Sequence, residues 1–249
     1  MKWPAWKGIP VEEVFPVDHV EKCVNDSLRS LGIETIDLMQ FHVWQDDFIV
    51  SEELKNVMQK LTSDGKVRYW GISVNDYQPT NCLKALDTGL FSSVQTIFNV
   101  FHQKPSQELF SYAKKHNIGI IARVPLDEGG LSGKFTKDTV FAEGDFRGKY
   151  FTKDRLEELS FRIGRLENIC EKYNIGSVAE LAFRFILSHP QVSTFIPGMR
   201  KMRHLKENMA IPEKGALDPK ILKELKNESW ERNFYPDVDP SLKNTAYLA

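Results

Sequence analysis

The sequence predicts an α/β fold with a parallel sheet, because short apolar segments rich in β-formers alternate with amphipathic helical segments along the chain. About five such strand–helix units can be recognised, whereas a closed (β/α)₈ barrel requires eight. The length of 249 residues nevertheless suits such a barrel or one large domain. We therefore expect a row or ring of strands whose carboxyl ends face one ligand.

The first predicted strand is segment 35–44, and the other elements are interpreted around it. This segment is short, mostly apolar and rich in β-formers, which favours a buried strand over a helix. His42 lies near its carboxyl end, where parallel α/β folds carry their functional groups. A histidine at a strand end can also be purely structural, so His42 alone does not establish a site.

The elements on either side of this strand follow from periodicity and from turn residues. Residues 1–17 contain repeated proline and glycine and predict an irregular loop, and residues 18–31 predict a helix capped by Asp18 and closed by Gly32. Further helices are predicted at residues 51–61, 80–88, 105–116, 155–173, 177–188, 203–210 and 219–229. Further strands are predicted at residues 67–73, 92–99, 118–124 and 192–197, with a turn at 64–66 and a long glycine-rich loop at 127–153.

Composition excludes several classes of protein. The formal net charge is −1, so nothing favours a nucleic acid or an anionic membrane as partner. No apolar run reaches the 18 residues of a spanning helix, and residues 1–8 lack the apolar core of a signal peptide. The cysteines Cys23, Cys82 and Cys170 lie far apart and form no CxxC pair, which indicates reduced thiols. We expect a cytoplasmic protein without a membrane or nucleic-acid partner.

Polar residues occur at the ends of, or within, the predicted strands. Ser73 and Asn75 lie at the end of the second strand, although serine and asparagine also favour ordinary turns. Gln95 lies inside an apolar strand, where a buried amide needs a hydrogen-bond partner that can be purely structural. Arg123 lies in an apolar strand as well, so it either pairs with a carboxylate or faces a ligand. His42 has no second ligand at HxH or HxxxH spacing, so we expect no metal site.

A basic cluster follows Gly198 at the start of the helix predicted at 203–210. Its members are Arg200, Lys201, Arg203, His204 and Lys206. Cations at a helix N-terminus oppose the helix dipole, and a bound phosphate would offset that conflict. The alternative is a solvated basic face. The glycine-rich segment 129–134 could also cradle a phosphate, but it does not match the P-loop pattern and is equally compatible with a flexible loop.

Taken together, these segments resemble the aldo-keto reductase superfamily over about residues 18–230. The matching motifs are SLRSLG at 27–32, IDLMQFH at 36–42, GKVR at 65–68, GIS at 71–73, VQ at 94–95, FN at 98–99, Leu126 with GLSGK at 130–134, and IPGMR at 196–200 with EN at 207–208. The resemblance implies a (β/α)₈ TIM barrel without a Rossmann domain. It also implies NADPH bound in extended form at the strand ends, and hydride transfer to an aldehyde or ketone.

The resemblance also implies roles for the polar residues of the strands. His42 matches the histidine that orients and polarises the substrate carbonyl. Ser73 and Asn75 match the positions that hold the nicotinamide carboxamide, with Gln95 as their partner. Arg123 stands where many members have a tyrosine stacked on the nicotinamide, and a guanidinium can stack in the same way.

The remaining matches concern the other end of the cofactor. Leu126 and Glu128 fall in the loop that contacts the pyrophosphate. The residues that match the family's adenosine end are Gly198 in the turn, Arg200, Lys201, Arg203 and His204 around the 2′-phosphate, and Glu207 and Asn208 at the adenine. A phosphate needs cations and a bare 2′-hydroxyl does not, so this set implies NADPH over NADH.

The sequence departs from the family pattern in its catalytic set. The family uses an Asp, a Tyr and a Lys on its first three strand–helix units, and no residue here matches them. Tyr69 and Tyr77 lie in the wrong units, and Lys2 lies too late in its loop. We therefore expect a single, N-terminally truncated barrel domain over residues 1–249, with exposed sheet edges that favour self-association. Two hypotheses follow: an NADPH-dependent reductase, or a catalytically inactive nucleotide-binding module.

Overall fold

The computed structural model describes residues 9–75 and 78–230. The sequence-based statements about Lys2, Tyr77, residues 1–8 and the chain beyond residue 230 lie outside the described residues. Within the described part of the chain, every helix is too short or too polar to cross a membrane.

Five strands form one sheet in the order in which they occur along the chain. They are β1 (Ile36–His42), β2 (Val67–Ser73), β3 (Ser93–Ile97), β4 (Gly119–Arg123) and β5 (Val192–Phe195). Strand β1 pairs with β2, and β2 with β3, in parallel. The predicted α/β fold with a parallel sheet is therefore confirmed, and each strand falls within or at the bounds that the sequence indicated.

Helices connect and flank these strands. The α-helices are α1 (Val11–Val14), α2 (Val17–Leu31), α3 (Glu52–Ser63), α4 (Leu83–Asp87), α5 (Leu109–His116), α6 (Arg147–Tyr150), α7 (Lys153–Lys172), α8 (Val178–Leu187), α9 (Met202–Ala210) and α10 (Pro219–Leu225). Short 3₁₀ helices occur at Asp46–Val50, Lys104–Ser106, Asp127–Ser132, Pro212–Lys214 and Lys226–Glu228.

Several helix ends with a local signature were predicted correctly. Gly32 closes α2 in the left-handed conformation, with φ of 66°. Ser51 caps α3, because its hydroxyl accepts a hydrogen bond from the backbone N–H of Leu54 at 3.3 Å. Ser177 caps α8 in the same way through the N–H of Glu180 at 3.1 Å.

Two helix starts were predicted wrongly although each rested on a local signature. Helix α2 begins at Val17 after Pro16, so Asp18 lies in the first turn and is not the cap. Residues 9–17 are not wholly irregular, because they include α1. The helix predicted to begin at Pro105 starts instead with a 3₁₀ turn, and α5 begins only at Leu109.

The helix predicted at residues 80–88 is shorter than expected for a tertiary reason. Helix α4 begins at Leu83 without a side-chain cap from its own N-cap residue. Asp46 supplies the acceptor instead, because its carboxylate takes hydrogen bonds from the backbone N–H groups of Lys84 and Ala85, each at 3.1 Å. A cap from 38 positions earlier in the chain leaves no local pattern in the sequence.

The residue contacts divide the chain into two compact units. Among the described residues, the first unit comprises 9–75, 78–96 and 108–120, and the second comprises 97–107 and 121–230. In the first unit, Phe41 stacks on Trp70 with ring centroids 5.4 Å apart. In the second, Phe98 stacks on Phe185 at 5.3 Å. The single barrel domain over 1–249 remains a prediction.

Candidate functional site

Strand register in the first unit collects polar residues on one face of the sheet. Gln40 pairs with Gly71, and His42 with Ser73. On the other side of β2, Gly71 pairs with Ser93, and Ser73 with Gln95. Because alternate residues of a strand point to the same side, these residues share one face. We call it the polar strand face: Gln40, His42, Gly71, Ser73, Ser93 and Gln95.

The polar strand face is tightly packed around Gly71. A Cβ atom at this position would lie 2.3 Å from the Ser93 hydroxyl and 3.2 Å from Cγ of Gln40. Gln95 donates a hydrogen bond from its Nε2 to Oε1 of Gln40 at 3.3 Å. Gln95 therefore has the hydrogen-bond partner that its position in the strand required. This partner is Gln40, which the sequence analysis did not single out. Its alternation with His42 along β1 was the pattern that could have identified it.

Ser73 is the most informative residue of this face. Its side chain is buried, with the whole residue 2% exposed, and its Oγ has no hydrogen-bond partner within the described residues. Buried hydroxyl groups are normally hydrogen-bonded, so this atom fits a polar ligand group. His42 is exposed at the adjacent end of β1, and Asn75 follows β2 in a half-buried position.

In the second unit, a loop with unusual backbone conformation follows β4. Asp127, Glu128 and Gly129 adopt φ of 47°, 54° and 106° in succession, all in the left-handed half of the Ramachandran plot. Arg123 is half-buried at the end of β4. Burial and the neighbouring Asp127 raise the pKa of Glu128, whereas the charges of Arg123 and Arg147 partly oppose this rise. The charge of Arg123 thus acts on the Glu128 carboxyl, and the choice between a paired carboxylate and a bound ligand for Arg123 stays a prediction.

A groove of about 660 Å³ lies in the second unit beside α8 and α9. We call it the α8–α9 groove. It brings together six residues that the sequence assigned to one site: Leu126, Gly198, Arg203, His204, Glu207 and Asn208. Ser132 and Lys134 of the glycine-rich segment also line it. Seven described residues that were predicted for the same ligand do not line it: Ser73, Asn75, Gln95, Arg123, Glu128, Arg200 and Lys201.

The wall formed by α9 is polar and largely open to solvent. Asn208 donates from its Nδ2 to the carbonyl oxygen of Gly198 at 3.3 Å, which links α9 to the segment after β5. Nε of Arg203 lies 3.6 Å from Oε1 of Glu207, and both side chains are more than half exposed. The guanidinium of Arg203 also lies 3.4 Å from Nε2 of His204. Among the described residues, the contacts of Arg203 are therefore weak and solvent-screened.

The opposite wall contains an ion pair that sequence reasoning missed. Glu180 on α8 is buried, and Lys214 Nζ lies 2.5 Å from its Oε2, while Arg184 lies 3.2 Å from its Oε1. Burial raises the pKa of Glu180, but Lys214 and Arg184 outweigh this effect, so its pKa lies below the ordinary value. The pattern Ser177-x-x-Glu180 resembles a capping box, which accounts for a glutamate at this position without indicating its ion pairs.

Metal ligands are not clustered in the described part of the chain, where no group of three or more His, Cys, Asp or Glu side chains could hold an ion. The groove and the polar strand face instead offer amides, hydroxyls and cations. The cations of the groove suit a phosphate group, and the amides and hydroxyls of the strand face suit an amide group.

Residues 12–228 match the model of the Aldo/keto reductase family. This chain belongs to the aldo/keto reductase family. The resemblance drawn from the motifs is thereby confirmed at the level of the family. Several relatives of this aldo/keto reductase chain are named as reductases or dehydrogenases, so its family is one of oxidoreductase enzymes.

Three of these relatives show the extent of the similarity. An aldo-keto reductase of Schizosaccharomyces pombe, whose name includes NADP(+), is 28% identical over 209 residues, which cover 82% of this chain and 59% of the relative. An aldo-keto reductase of Bacillus subtilis is 30% identical over 180 residues, or 72% and 54% of the two chains. The structure of a glycerol dehydrogenase from Gluconobacter oxydans superposes with a TM-score of 0.73 at 29% identity, covering 90% and 67%. The chain thus spans somewhat over half the length of these curated relatives.

Proposed function

We propose that this chain acts as an NADPH-dependent reductase of aldehydes or ketones. The observation that carries the proposal is the α8–α9 groove, which collects Leu126 and five residues between 198 and 208. Leu126 comes from a different segment of the chain than the other five residues, yet each of the six matches a cofactor contact of the family. We would not expect residues that match the family's cofactor contacts to line one groove by chance. Family membership supports the same conclusion.

The residues present fit a phosphorylated dinucleotide. The buried Ser73 hydroxyl has no partner within the described residues, so it suits the nicotinamide carboxamide, together with Asn75 and Gln95. Arg123 would stack on the nicotinamide, and Leu126 and Glu128 would contact the pyrophosphate.

For the adenosine end, we assign Arg200, Lys201, Arg203 and His204 to the 2′-phosphate, and Gly198, Glu207 and Asn208 to the turn and the adenine. Arg203 suits the phosphate best, because its only carboxylate contact among the described residues is exposed and long at 3.6 Å. Lys134 and Lys214 add positive charge to the same groove.

NADPH, when bound, would supply the hydride that is added to the carbonyl carbon, and a proton taken up from water would complete the hydroxyl at the oxygen. His42 would donate a ring N–H to the carbonyl oxygen, which fixes the orientation of the substrate and polarises the bond. Tyr69 does not replace the family's tyrosine, although it occupies the same strand face. It precedes Ser73 by four residues on β2, and at about 3.3 Å per residue this separates the two by roughly 13 Å.

The cofactor assignment is tested by titrating NADPH and NADH against the full chain while following nucleotide fluorescence. We expect Arg203→Ala to weaken NADPH binding about tenfold, because a charge-assisted hydrogen bond to a phosphate is lost, and to change NADH binding less than about twofold. Arg29→Ala is the matched control, since Arg29 is also an exposed arginine paired with a helical carboxylate. Equal losses for both nucleotides would count against a 2′-phosphate role.

The catalytic assignment is tested by NADPH oxidation with 4-nitrobenzaldehyde. The reductase proposal expects turnover that His42→Ala abolishes, whereas the exposed His116→Ala leaves it unchanged. The alternative hypothesis, an inactive nucleotide-binding module, rests on the lack of residues that match the family's Asp, Tyr and Lys. It expects NADPH binding without turnover, so the two measurements together separate the hypotheses.

A further inference from the structure

The loop that leads into the α8–α9 groove has a strained backbone. Asp127 and Glu128 are consecutive non-glycine residues in the left-handed region, a conformation that persists only where the surroundings enforce it. Leu126 and Ser132, at the two ends of this segment, line the groove. The conformation of the loop therefore determines the shape of the groove on this side.

The contacts of the Asp127 side chain enforce this conformation. Asp127 is buried, and its Oδ1 accepts a hydrogen bond from the hydroxyl of Tyr150 at 2.6 Å. Its Oδ2 lies 3.8 Å from Nη2 of Arg155. A Cβ at Gly130 would lie only 3.0 Å from the same Oδ2, so the carboxylate is packed directly against the backbone of its own loop.

Arg155 is an unusual partner for this carboxylate. Its side chain is only 9% exposed, and its Nε and Nη2 have no hydrogen-bond partner within the described residues. Its guanidinium lies 3.8 Å from the ring centre of Trp230 and 5.3 Å from that of Tyr150. Burying a guanidinium is unfavourable unless charge or aromatic contacts compensate. Asp127 and Trp230 supply this compensation.

Trp230 is itself fixed in place. Its backbone N–H donates to the carbonyl oxygen of Phe101 at 2.7 Å, and the two rings pack edge to face at 5.4 Å. The segment around residues 228–230 thus provides a rigid support for Arg155. One side chain of α7 connects this support to the strained loop of the groove.

We infer that Arg155 is a positioning residue for the nucleotide groove. It bridges Trp230 and Asp127, holds the left-handed turn at 127–129 and so keeps Leu126 and Ser132 against the ligand. This inference rests on the proposed function, since the ligand it concerns is the nucleotide. It adds that nucleotide affinity depends on a residue that does not line the groove.

The test compares Arg155→Met with Arg162→Met, measured by nucleotide fluorescence and by thermal unfolding. Arg162 is the matched control, because it also packs on Trp230, at 4.9 Å, but pairs with Glu158 and not with Asp127. We expect Arg155→Met to weaken NADPH and NADH alike by roughly tenfold, whereas Arg162→Met changes either by less than about twofold. Equal affinity losses in the two variants would indicate simple loss of packing on Trp230 and overturn the inference.

A second arm isolates the strained turn itself. Glycine adopts positive φ without steric cost and alanine does not, so in the Arg155→Met background Glu128→Gly should bind nucleotide more tightly than Glu128→Ala, because both variants lack the Glu128 carboxylate alike. This difference in affinity between the glycine and alanine variants must exceed the same difference measured in the otherwise unchanged chain. Identical behaviour of the glycine and alanine variants would refute a role in holding the turn.

A third arm covers the case in which Arg155→Met does not fold. Asp127→Asn keeps the acceptor for Tyr150 and removes the charge that faces Arg155, so it should also weaken both nucleotides alike. Normal affinity in a folded Asp127→Asn chain would overturn the inference. The proposed function fails separately, if the unchanged chain binds neither nucleotide or if Arg203→Ala does not discriminate between them.

Discussion

The polar strand face and the α8–α9 groove are built in opposite ways. On the strand face, alternation and register place His42, Ser73 and Gln95 side by side. In the groove, Leu126 meets residues of α9 only because a strained loop and two helices converge. A periodic element therefore carries its functional pattern in the local sequence, whereas a groove of this kind depends on contacts between distant segments.

The two regions also differ in what stabilises them. The strand face is uncharged at its centre and closely packed around Gly71, so steric effects should dominate. The α8–α9 groove is lined by two ion pairs, one with a buried carboxylate and one exposed on both sides, so its energetics should follow burial and solvent screening. Three substitutions test this difference.

We expect the largest effect from Gly71→Val, which should destabilise the protein by about 1–3 kcal/mol because the added atoms overlap Ser93 and Gln40. Urea denaturation measures the loss. The control is Gly164→Ala in α7, where no atom lies within 4 Å of the added Cβ. It should stabilise the chain by about 0.5–1 kcal/mol through higher helix propensity. Unchanged stability in Gly71→Val would show that the strand face is not closely packed.

Glu180→Gln should lower the free energy of unfolding by an intermediate amount, about 1–2 kcal/mol at pH 7, because Lys214 and Arg184 lose a charged acceptor. The pKa of Glu180 is lowered in the folded state, so the unfolded chain takes up the proton first as the pH falls. The contribution is present above the ordinary pKa of 4.5 and disappears as the pH falls through the folded-state value. The free energies of unfolding of the variant and of the unchanged chain, measured across this pH range, should converge at the acid end. A pH-independent gap would contradict the assignment.

Glu207→Gln should have the smallest effect on stability, at most about 0.5 kcal/mol, because its pairing with Arg203 is exposed. Thermal unfolding at low and high salt tests this, and any small difference should vanish at high salt. A loss as large as that of Glu180→Gln would mean that burial does not distinguish the two walls of the groove.

Local patterns predicted those features whose causes are local. Strand β2 has the bounds 67–73 that its composition indicated, and Gly32, Ser51 and Ser177 end or begin helices as expected. The start of α4 was misplaced because its cap is the distant Asp46. The α9 residues of the groove were selected through a family resemblance, not through periodicity.

The sequence alone determined the α/β class with a parallel sheet, because strand-like and helix-like segments alternate along the chain. The register of β1, β2 and β3 in the structure then placed His42, Ser73 and Gln95 on one face, since side-chain direction in a strand repeats every two residues. It also determined the family, through motifs spread over most of the chain. Only the tertiary structure decided that Glu180 pairs with Lys214 and that Arg155 lies between Trp230 and Asp127. Such contacts join side chains that are 28 to 75 positions apart in the sequence. Buried charges select their partners by burial and geometry, and neither is visible in a linear pattern.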